Sequence, residues 1–185
     1  NTLGEFYSRY ISCYRHQVML SSLYHDYTYG EIDQHVHALA FFMKQKLRLK
    51  AGDRIAIMMP NTPQFAITFW AAQLLGLITV AVNPLYTSQE LAHILNDSEV
   101  RAIMLWDAKA YILEAALPEL KQKPKVILSA IGDTLTPIRS WIVNFVFNYL
   151  KRQVPSYSLP KHFKFSKILK TFKGKQAKMA KVNRK

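Results

Sequence analysis

Histidine, cysteine, glycine and aspartate are the residue types in this sequence that could support catalysis or ligand binding. His35 and His37 lie two residues apart on a predicted helix, so they point to different faces and cannot bind one metal ion as an i, i+4 pair could. Cys13 is the single cysteine, which excludes an internal disulfide and a cysteine-rich zinc site, and no residue nearby is expected to activate its thiol. We interpret the histidines as surface or structural residues.

Phosphate-binding loops are excluded by the spacing of the six glycines. Each glycine is isolated, so neither a Gly-x-Gly-x-x-Gly turn nor a glycine-rich loop ending in Lys-Ser or Lys-Thr can form. Four aspartates occupy predicted turns or helix caps, where a structural role is the usual one. On the residues alone we therefore assign no catalytic, cofactor-binding or metal-binding residue. The four aspartates are Asp53, Asp97, Asp107 and Asp133.

Apolar strands alternate with helices along the first 130 residues. This alternation predicts an α/β fold, with a parallel sheet covered by helices on both faces. The predicted strands are 54–59, 77–82, 102–106 and 125–128. One predicted helix starts at Glu31, and three others cover 64–75, 88–95 and 108–117. Residues 1–26 are expected to be irregular or to form short helices.

Turn and cap residues mark the helix starts. Residues 61–63 place a capping side chain before a proline, and Thr87 with Glu90 forms a capping box. We expect these turns and caps to matter for the scaffold rather than for chemistry. The residues concerned are Asn61, Pro84, Tyr86 and Thr87.

Three segments follow from composition: an α/β subdomain over 1–133, an apolar helix and loop over 134–160, and a basic tail over 161–185. The stretch 138–150 is apolar and aromatic, with Asn144 and Asn148 as its polar residues between 141 and 150. It has two interpretations, a core helix packed on the sheet or a helix lying in a membrane interface.

The net charge of +13 is concentrated at the C-terminus, since residues 161–185 contain ten lysines and arginines and no acidic residue. The tail is either a solvated or disordered end or a basic amphipathic helix that binds an anionic membrane. Nucleic acid is the less favoured partner, because the rest of the chain is nearly neutral. The chain does not begin with Met, so we expect further residues upstream. Without a secretory signal, it is expected to be cytoplasmic or peripheral on the inner membrane.

Six short motifs carry a family resemblance: 27–32 (YTYGEI), 52–61 (GDRIAIMMPN), 82–87 (VNPLYT), 95–98 (LNDS), 126–128 (VIL) and 132–133 (GD). They resemble motifs of bacterial long-chain fatty acid–CoA ligases, which belong to the adenylate-forming superfamily. The most specific motifs lie between residues 52 and 98, and the similarity extends over about residues 2–166. The tail after about residue 171 departs from the family pattern.

The resemblance implies the fold of an N-terminal subdomain of such an enzyme. The intact enzyme would join a long-chain fatty acid to AMP, releasing pyrophosphate, and would then transfer the acyl group to CoA, using ATP and Mg²⁺. The family's Lys-terminated ATP loop, its Thr-Glu segment and its C-terminal lysine have no counterpart within residues 1–185. We therefore expect an inactive fragment, with a stand-alone membrane-binding module as the alternative.

Overall fold

The structure is a computed structural model that describes residues 2–135, 137–146, 156–159 and 161–180. The chain folds into two compact units. The helical unit comprises Asn1–Asp53, Asn61–Thr79 and Lys167–Lys185, and the sheet unit comprises Arg54–Pro60 and Val80–Ser166. Residues from the range 1–133, predicted as one subdomain, contribute to both units.

The helical unit is built on three helices and a β-hairpin. Its elements are α1 (Leu3–Tyr10), β1 (Val18–Ser22), β2 (His25–Thr28), α2 (Tyr29–Gln45) and α3 (Pro63–Leu74). Strands β1 and β2 pair antiparallel, and α3 contacts both α1 and α2. Both α1 and α2 start with capping boxes, formed by Thr2 with Glu5 and by Thr28 with Glu31. The lead-in to α2 is therefore more regular than the sequence predicted.

Helix α3 begins and packs in a way that the sequence predicted only in part. Pro63 occupies its first turn as expected, but the N-cap residue Thr62 makes no side-chain capping hydrogen bond.

The close approach of α1 to α3 depends on Gly4, because a Cβ atom there would lie 2.6 Å from the carbonyl oxygen of Gln73. A glycine is required where two helix backbones come this close.

The sheet has five strands: β3 (Arg54–Met58), β4 (Ile78–Ala81), β5 (Ala102–Trp106), β6 (Lys125–Ser129) and β7 (His162–Lys164). Their order across the sheet is β4-β3-β5-β6-β7. Strands β3 and β5, β5 and β6, and β6 and β7 pair in parallel. Strand β7 was not predicted, since its sequence lies in the segment interpreted as a tail.

Both faces of the sheet are buried, which confirms the predicted α/β class with a parallel sheet flanked by helices. On one face, side chains from β3, β5 and β6 pack with α4 (Ser88–Asp97) and α5 (Ala110–Ala116). Short 3₁₀ turns precede and follow α5. Residues of opposite parity on the same strands are also buried. The core on the first face includes the strand residues Met58, Leu105 and Leu128 and the helix residues Leu91 and Leu113. The buried strand residues that point to the opposite face include Ile57, Met104 and Ile127.

Helix α6 (Pro137–Phe145) reverses the expected arrangement of polar and apolar residues. Ile138 and Trp141 are 77% and 68% exposed, whereas Asn144 faces the protein and accepts a hydrogen bond from the Gly132 amide at 2.9 Å. The helix is thus anchored by its polar residue, and the interpretation as an apolar core helix is not supported. The remainder of this predicted helix and loop, residues 147–155 with Asn148, and Pro160, lies outside the described residues.

The basic tail is ordered where the structure describes it, which differs from the expectation of a disordered end. Residues Phe165–Thr171 form α7, in which Phe165 is fully buried. Residues 172–180, here called the strap, continue along the helical unit. Apolar residues at intervals in the tail become buried and leave the lysines exposed, which is the physical reason for the order. Residues 181–185 lie outside the described part of the chain.

Candidate functional site

A cavity of about 370 Å³ lies in the sheet unit at the carboxyl ends of β5, β6 and β7. Ligands of open parallel sheets bind at this edge, because side chains that follow neighbouring strands converge there. Asp107 directly follows β5, Asp133 lies in the turn after β6, and Lys164 ends β7. The lining is completed by Leu128, Ala130, Asn144, Tyr157 and Ser166.

Asp133 is held in place by hydrogen bonds from the turn that follows β6. Its Oδ2 accepts from the Ala130 amide at 3.0 Å and from the Ser129 hydroxyl at 3.3 Å. Burial raises the pKa of this carboxyl, and these hydrogen bonds, with others from Ser166 and Asn144, oppose the rise. Asp133 therefore acts first as the structural anchor of this turn.

Gly132 and Asn144 join the same turn to α6. A Cβ atom on Gly132 would lie 2.7 Å from the Asn144 Oδ1 atom, which is the atom that accepts the Gly132 amide hydrogen bond. The Asn144 amide nitrogen in turn donates to the Ser140 hydroxyl at 3.4 Å. A larger residue at position 132 would therefore require the Asn144 side chain to shift and would disturb this hydrogen bond.

Asp107 is the group in this cavity with the most altered acidity. Burial raises its pKa to about 6, and the negative charge of Asp133 adds to the rise, while the Ala108 amide and the Lys164 ammonium oppose it. Burial also raises the pKa of the Tyr157 hydroxyl, with a further contribution from Asp107. A carboxyl with this pKa exchanges protons near neutral pH, which is a property shared by functional and structural buried acids.

The cavity can form hydrogen bonds and ion pairs. In the part of the chain that the structure describes, two carboxyls, one ammonium, a phenol, an amide and a hydroxyl line it. Within residues 2–135, 137–146, 156–159 and 161–180, no three histidine, cysteine or acidic side chains are grouped to hold a metal ion. In the same described residues, no helix is long and apolar enough to cross a membrane.

The structure gives a place to each of the four scaffold residues named from the sequence. Thr87 Oγ1 accepts from the Glu90 amide at 3.3 Å, and Glu90 accepts from the Thr87 amide at 2.8 Å, so the capping box is confirmed. Tyr86 packs against the core of the sheet unit. Asn61 lines a shallow pocket of the helical unit, and Pro84 lies in the turn closed by the hydrogen bond from the Tyr86 amide to the Asn83 carbonyl at 3.1 Å.

Sequence reasoning missed the convergence of Asp107 and Asp133, because each was read separately as a turn residue. Their common position in the segments that follow two neighbouring parallel strands was the signal that could have paired them. It also missed His37, whose Nδ1 accepts a hydrogen bond from the Ala177 amide at 3.2 Å. That contact joins residues 140 positions apart, so no local pattern could have indicated it.

Comparison with known proteins places this architecture in a family. Residues 9–162, more than half of the chain, match the model of the AMP-binding enzyme family. The chain belongs to the AMP-binding enzyme family. Relatives that match the chain include long-chain-fatty-acid–CoA ligases, the proteins that the sequence motifs indicated.

The long-chain-fatty-acid–CoA ligase of Salmonella typhimurium is 41% identical to this chain over 142 residues, which are 77% of this chain and 25% of the relative. That of Escherichia coli O6:H1 is 36% identical over 168 residues, 91% of this chain and 30% of the relative. The chain thus spans about a quarter to a third of the length of these AMP-binding enzymes.

Solved structures of AMP-binding enzymes share the fold. A benzoate CoA ligase from Burkholderia xenovorans LB400 superposes with a TM-score of 0.73 at 17% identity, covering 99% of this chain and 31% of the other. A luciferase-like enzyme from the mealworm Zophobas morio superposes with a TM-score of 0.70 at 17% identity, covering 96% and 38%. At this identity the likeness concerns the fold alone.

Proposed function

We propose that this chain forms the sheet-and-helix scaffold of a long-chain fatty acid–CoA ligase located in the cytoplasm. The observation that carries the proposal is the 36–41% identity to two such ligases over most of the chain. In the whole enzyme, a fatty acid carboxylate would attack ATP to give acyl-AMP and pyrophosphate. The CoA thiol would then displace AMP to give acyl-CoA.

The proposal assigns ATP, Mg²⁺ and CoA to the whole enzyme rather than to this chain. Its isolated glycines form no phosphate-binding loop, and its described residues offer no group of three metal ligands. We therefore derive no chemical step from residues 1–185. The contribution of the chain would be to position other segments, since catalysis by adenylate formation depends on the placement of the reacting groups.

A chimera tests the scaffold role directly. Residues 9–162 of this chain would replace the matching segment of the Salmonella typhimurium ligase, and fatty-acid-dependent pyrophosphate release would be measured. We expect activity within about a hundredfold of the parent, since a misplacement of about 1 Å costs that much. A matched chimera carrying Leu105→Asp, which buries a charge in the core, should be inactive. A folded chimera without activity, beside an active parent, would contradict the proposal.

The chain by itself is proposed to be inactive. Purified residues 1–185 with ATP, Mg²⁺, CoA and a long-chain fatty acid should release no pyrophosphate above a protein-free blank. The intact Salmonella typhimurium ligase serves as the positive control. Sustained pyrophosphate release that depends on the fatty acid would contradict the proposed inactivity and would show that this chain contains an active site.

A second candidate function is binding to an anionic membrane surface. It is favoured by the exposed Ile138, Trp141 and Ile142 on α6, beside Arg139, and by the exposed lysines of the tail. An aromatic and aliphatic helix face with basic neighbours is typical of interfacial helices. The exposed tail lysines, all within residues 161–178, are Lys161, Lys164, Lys167, Lys170, Lys173, Lys175 and Lys178.

Co-sedimentation with vesicles tests the second candidate. The chain should sediment with vesicles that contain phosphatidylserine and should remain in solution with pure phosphatidylcholine vesicles or at high salt. Trp141→Ser should weaken binding, while Tyr111→Ser, an exposed substitution on α5, is the matched control. Equal sedimentation of the two variants, or none by the wild type, would remove this candidate.

A further inference from the structure

The strap contacts the helical unit through the Phe172 ring, through two backbone amides that donate hydrogen bonds, and through Met179, whose sulfur accepts from the Ser8 hydroxyl. The ring of Phe172 lies 5.8 Å from Phe41 and 5.7 Å from Phe42 between centroids. The Ala180 amide donates to the Leu74 carbonyl at 3.0 Å, and the Ala177 amide donates to His37 at 3.2 Å. Of these contacts, the last depends on a side chain that can change its protonation state.

His37 stands between the strap and a carboxylate. Its Nε2 lies 3.6 Å from Asp33 Oδ1, which also accepts a hydrogen bond from the Tyr7 hydroxyl at 3.1 Å. Because Nδ1 accepts from the Ala177 amide, the neutral ring must carry its proton on Nε2, facing Asp33. The hydrogen-bond network thus assigns the tautomer.

We propose that His37 is a pH-sensitive latch for the strap. Protonation of the imidazole places a hydrogen on Nδ1, so this atom stops accepting and faces the Ala177 amide as a second donor. The amide loses its acceptor, and the strap keeps its contacts at Phe172, Met179 and Ala180.

Titratable groups on α1 and α2 face the latch. From α2 the facing group is Asp33, and from α1 it is Tyr7, bound to the same carboxylate. His35, two residues away on α2, must be separated from the latch experimentally. Burial lowers the pKa of His35, the charge of Lys173 on the strap lowers it further, and Glu31 opposes both.

Hydrogen–deuterium exchange of the strap, corrected for intrinsic rates, tests the latch in the full chain. Between about pH 8 and about pH 5, the interval in which histidine changes charge, protection of residues 172–180 should fall about threefold to tenfold. His37→Gln retains an oxygen acceptor that cannot be protonated, so its strap protection should not depend on pH. His35→Gln should keep the wild-type pH response.

Two results would overturn the latch. One is strap protection that is the same at both pH values in the wild type, and the other is an equal fall in His37→Gln. Exchange in β5 and β6 serves as the internal control for global unfolding. If His37→Gln does not fold, the ¹⁵N shifts of the His37 ring decide in the wild type. The latch requires an unprotonated Nδ1 at about pH 8 that becomes protonated as strap protection falls.

Discussion

Each of the two units has its own internal contacts, and these contacts differ in the sequence range that they span. In the sheet unit, β5, α5 and β6 follow one another, and the buried core cluster is drawn from residues 56–128. In the helical unit, the strap bonds to residues far earlier in the chain, as in the Ala177–His37 contact over 140 positions. The difference teaches that the helical unit is completed by a segment from the far end of the described chain, whereas the buried core cluster of the sheet unit comes from one continuous range.

The largest expected effect is the loss of a core side chain in the sheet unit. Leu105→Ala removes a fully buried residue from the cluster between the sheet, α4 and α5. We expect a loss of about 2–5 kcal/mol in the free energy of unfolding, measured by denaturant titration. Hydrogen exchange should quicken in β5 and β6. The exposed Tyr111→Ala on α5 should change stability by about 0.5 kcal/mol or less.

The second effect concerns the close approach of α1 and α3 in the helical unit. Gly4→Ala introduces a Cβ atom 2.6 Å from the Gln73 carbonyl oxygen, and backbone atoms cannot yield as a flexible side chain could. Overpacking of this kind costs about 1–3 kcal/mol, measured by thermal unfolding. Exchange should quicken in α1. Arg9→Ala, an exposed substitution on the same helix, is the control. If Gly4→Ala has the stability of the wild type, the close packing of α1 on α3 is disproved.

The third effect tests the buried acid of the sheet unit through its pH dependence. The pKa of Asp107 is raised from 3.8 to about 6, so the native state favours the protonated carboxyl. Its contribution to stability is therefore present below about pH 4 and is lost as the pH rises through about 6. Asp107→Asn should be more stable than the wild type by about 1–2 kcal/mol at pH 7.5 and nearly equal to it at pH 4. Denaturant titrations at both pH values check this, and a pH-independent difference would contradict it.

The smallest effect compares one local device placed in both units. Thr28 and Thr87 each accept from the amide of a glutamate three residues later, at 3.2 Å and 3.3 Å. Thr28→Ala and Thr87→Ala should each cost about 1 kcal/mol of unfolding free energy, because each removes one helix cap. Serine at either position should restore most of the loss. Unequal costs would show that the two units depend on their caps to different degrees.

Much of the fold was predictable because its elements are encoded locally. Strand β5 was predicted at its observed bounds, 102–106, since a run of apolar residues lies between polar turns. The capping box at Thr87 was predicted because it needs only two residues at a fixed spacing. The family resemblance was likewise carried by short motifs between residues 52 and 98.

The candidate site was not predictable in the same way. The cavity brings together Asp107, Asp133 and Lys164 from three strand ends, and β7 had been read as tail. Each residue alone looks like an ordinary turn, strand or tail residue. Their convergence depends on strand order, which pairwise sequence spacing does not contain.

Helix α6 shows why composition did not decide between the two interpretations of the middle segment. A run of aromatic and aliphatic residues was expected either to pack in the core or to lie in a membrane interface. In the fold, Asn144 satisfies the Gly132 amide while Ile138 and Trp141 are exposed. The requirement of a buried amide for an acceptor determined the orientation of this helix.

The sequence by itself determined the α/β class, the helix starts, and membership in a family of adenylate-forming enzymes, because periodicity, caps and short motifs are local. The tertiary structure alone decided that a lysine-rich tail would be ordered. Phe165, Ile168 and Leu169 have the i, i+3, i+4 spacing of an amphipathic helix, but this spacing does not say which surface covers them. In the fold these residues and Ala177 become buried. Their burial depends on surfaces built by distant parts of the chain, and such surfaces exist only once the chain has folded.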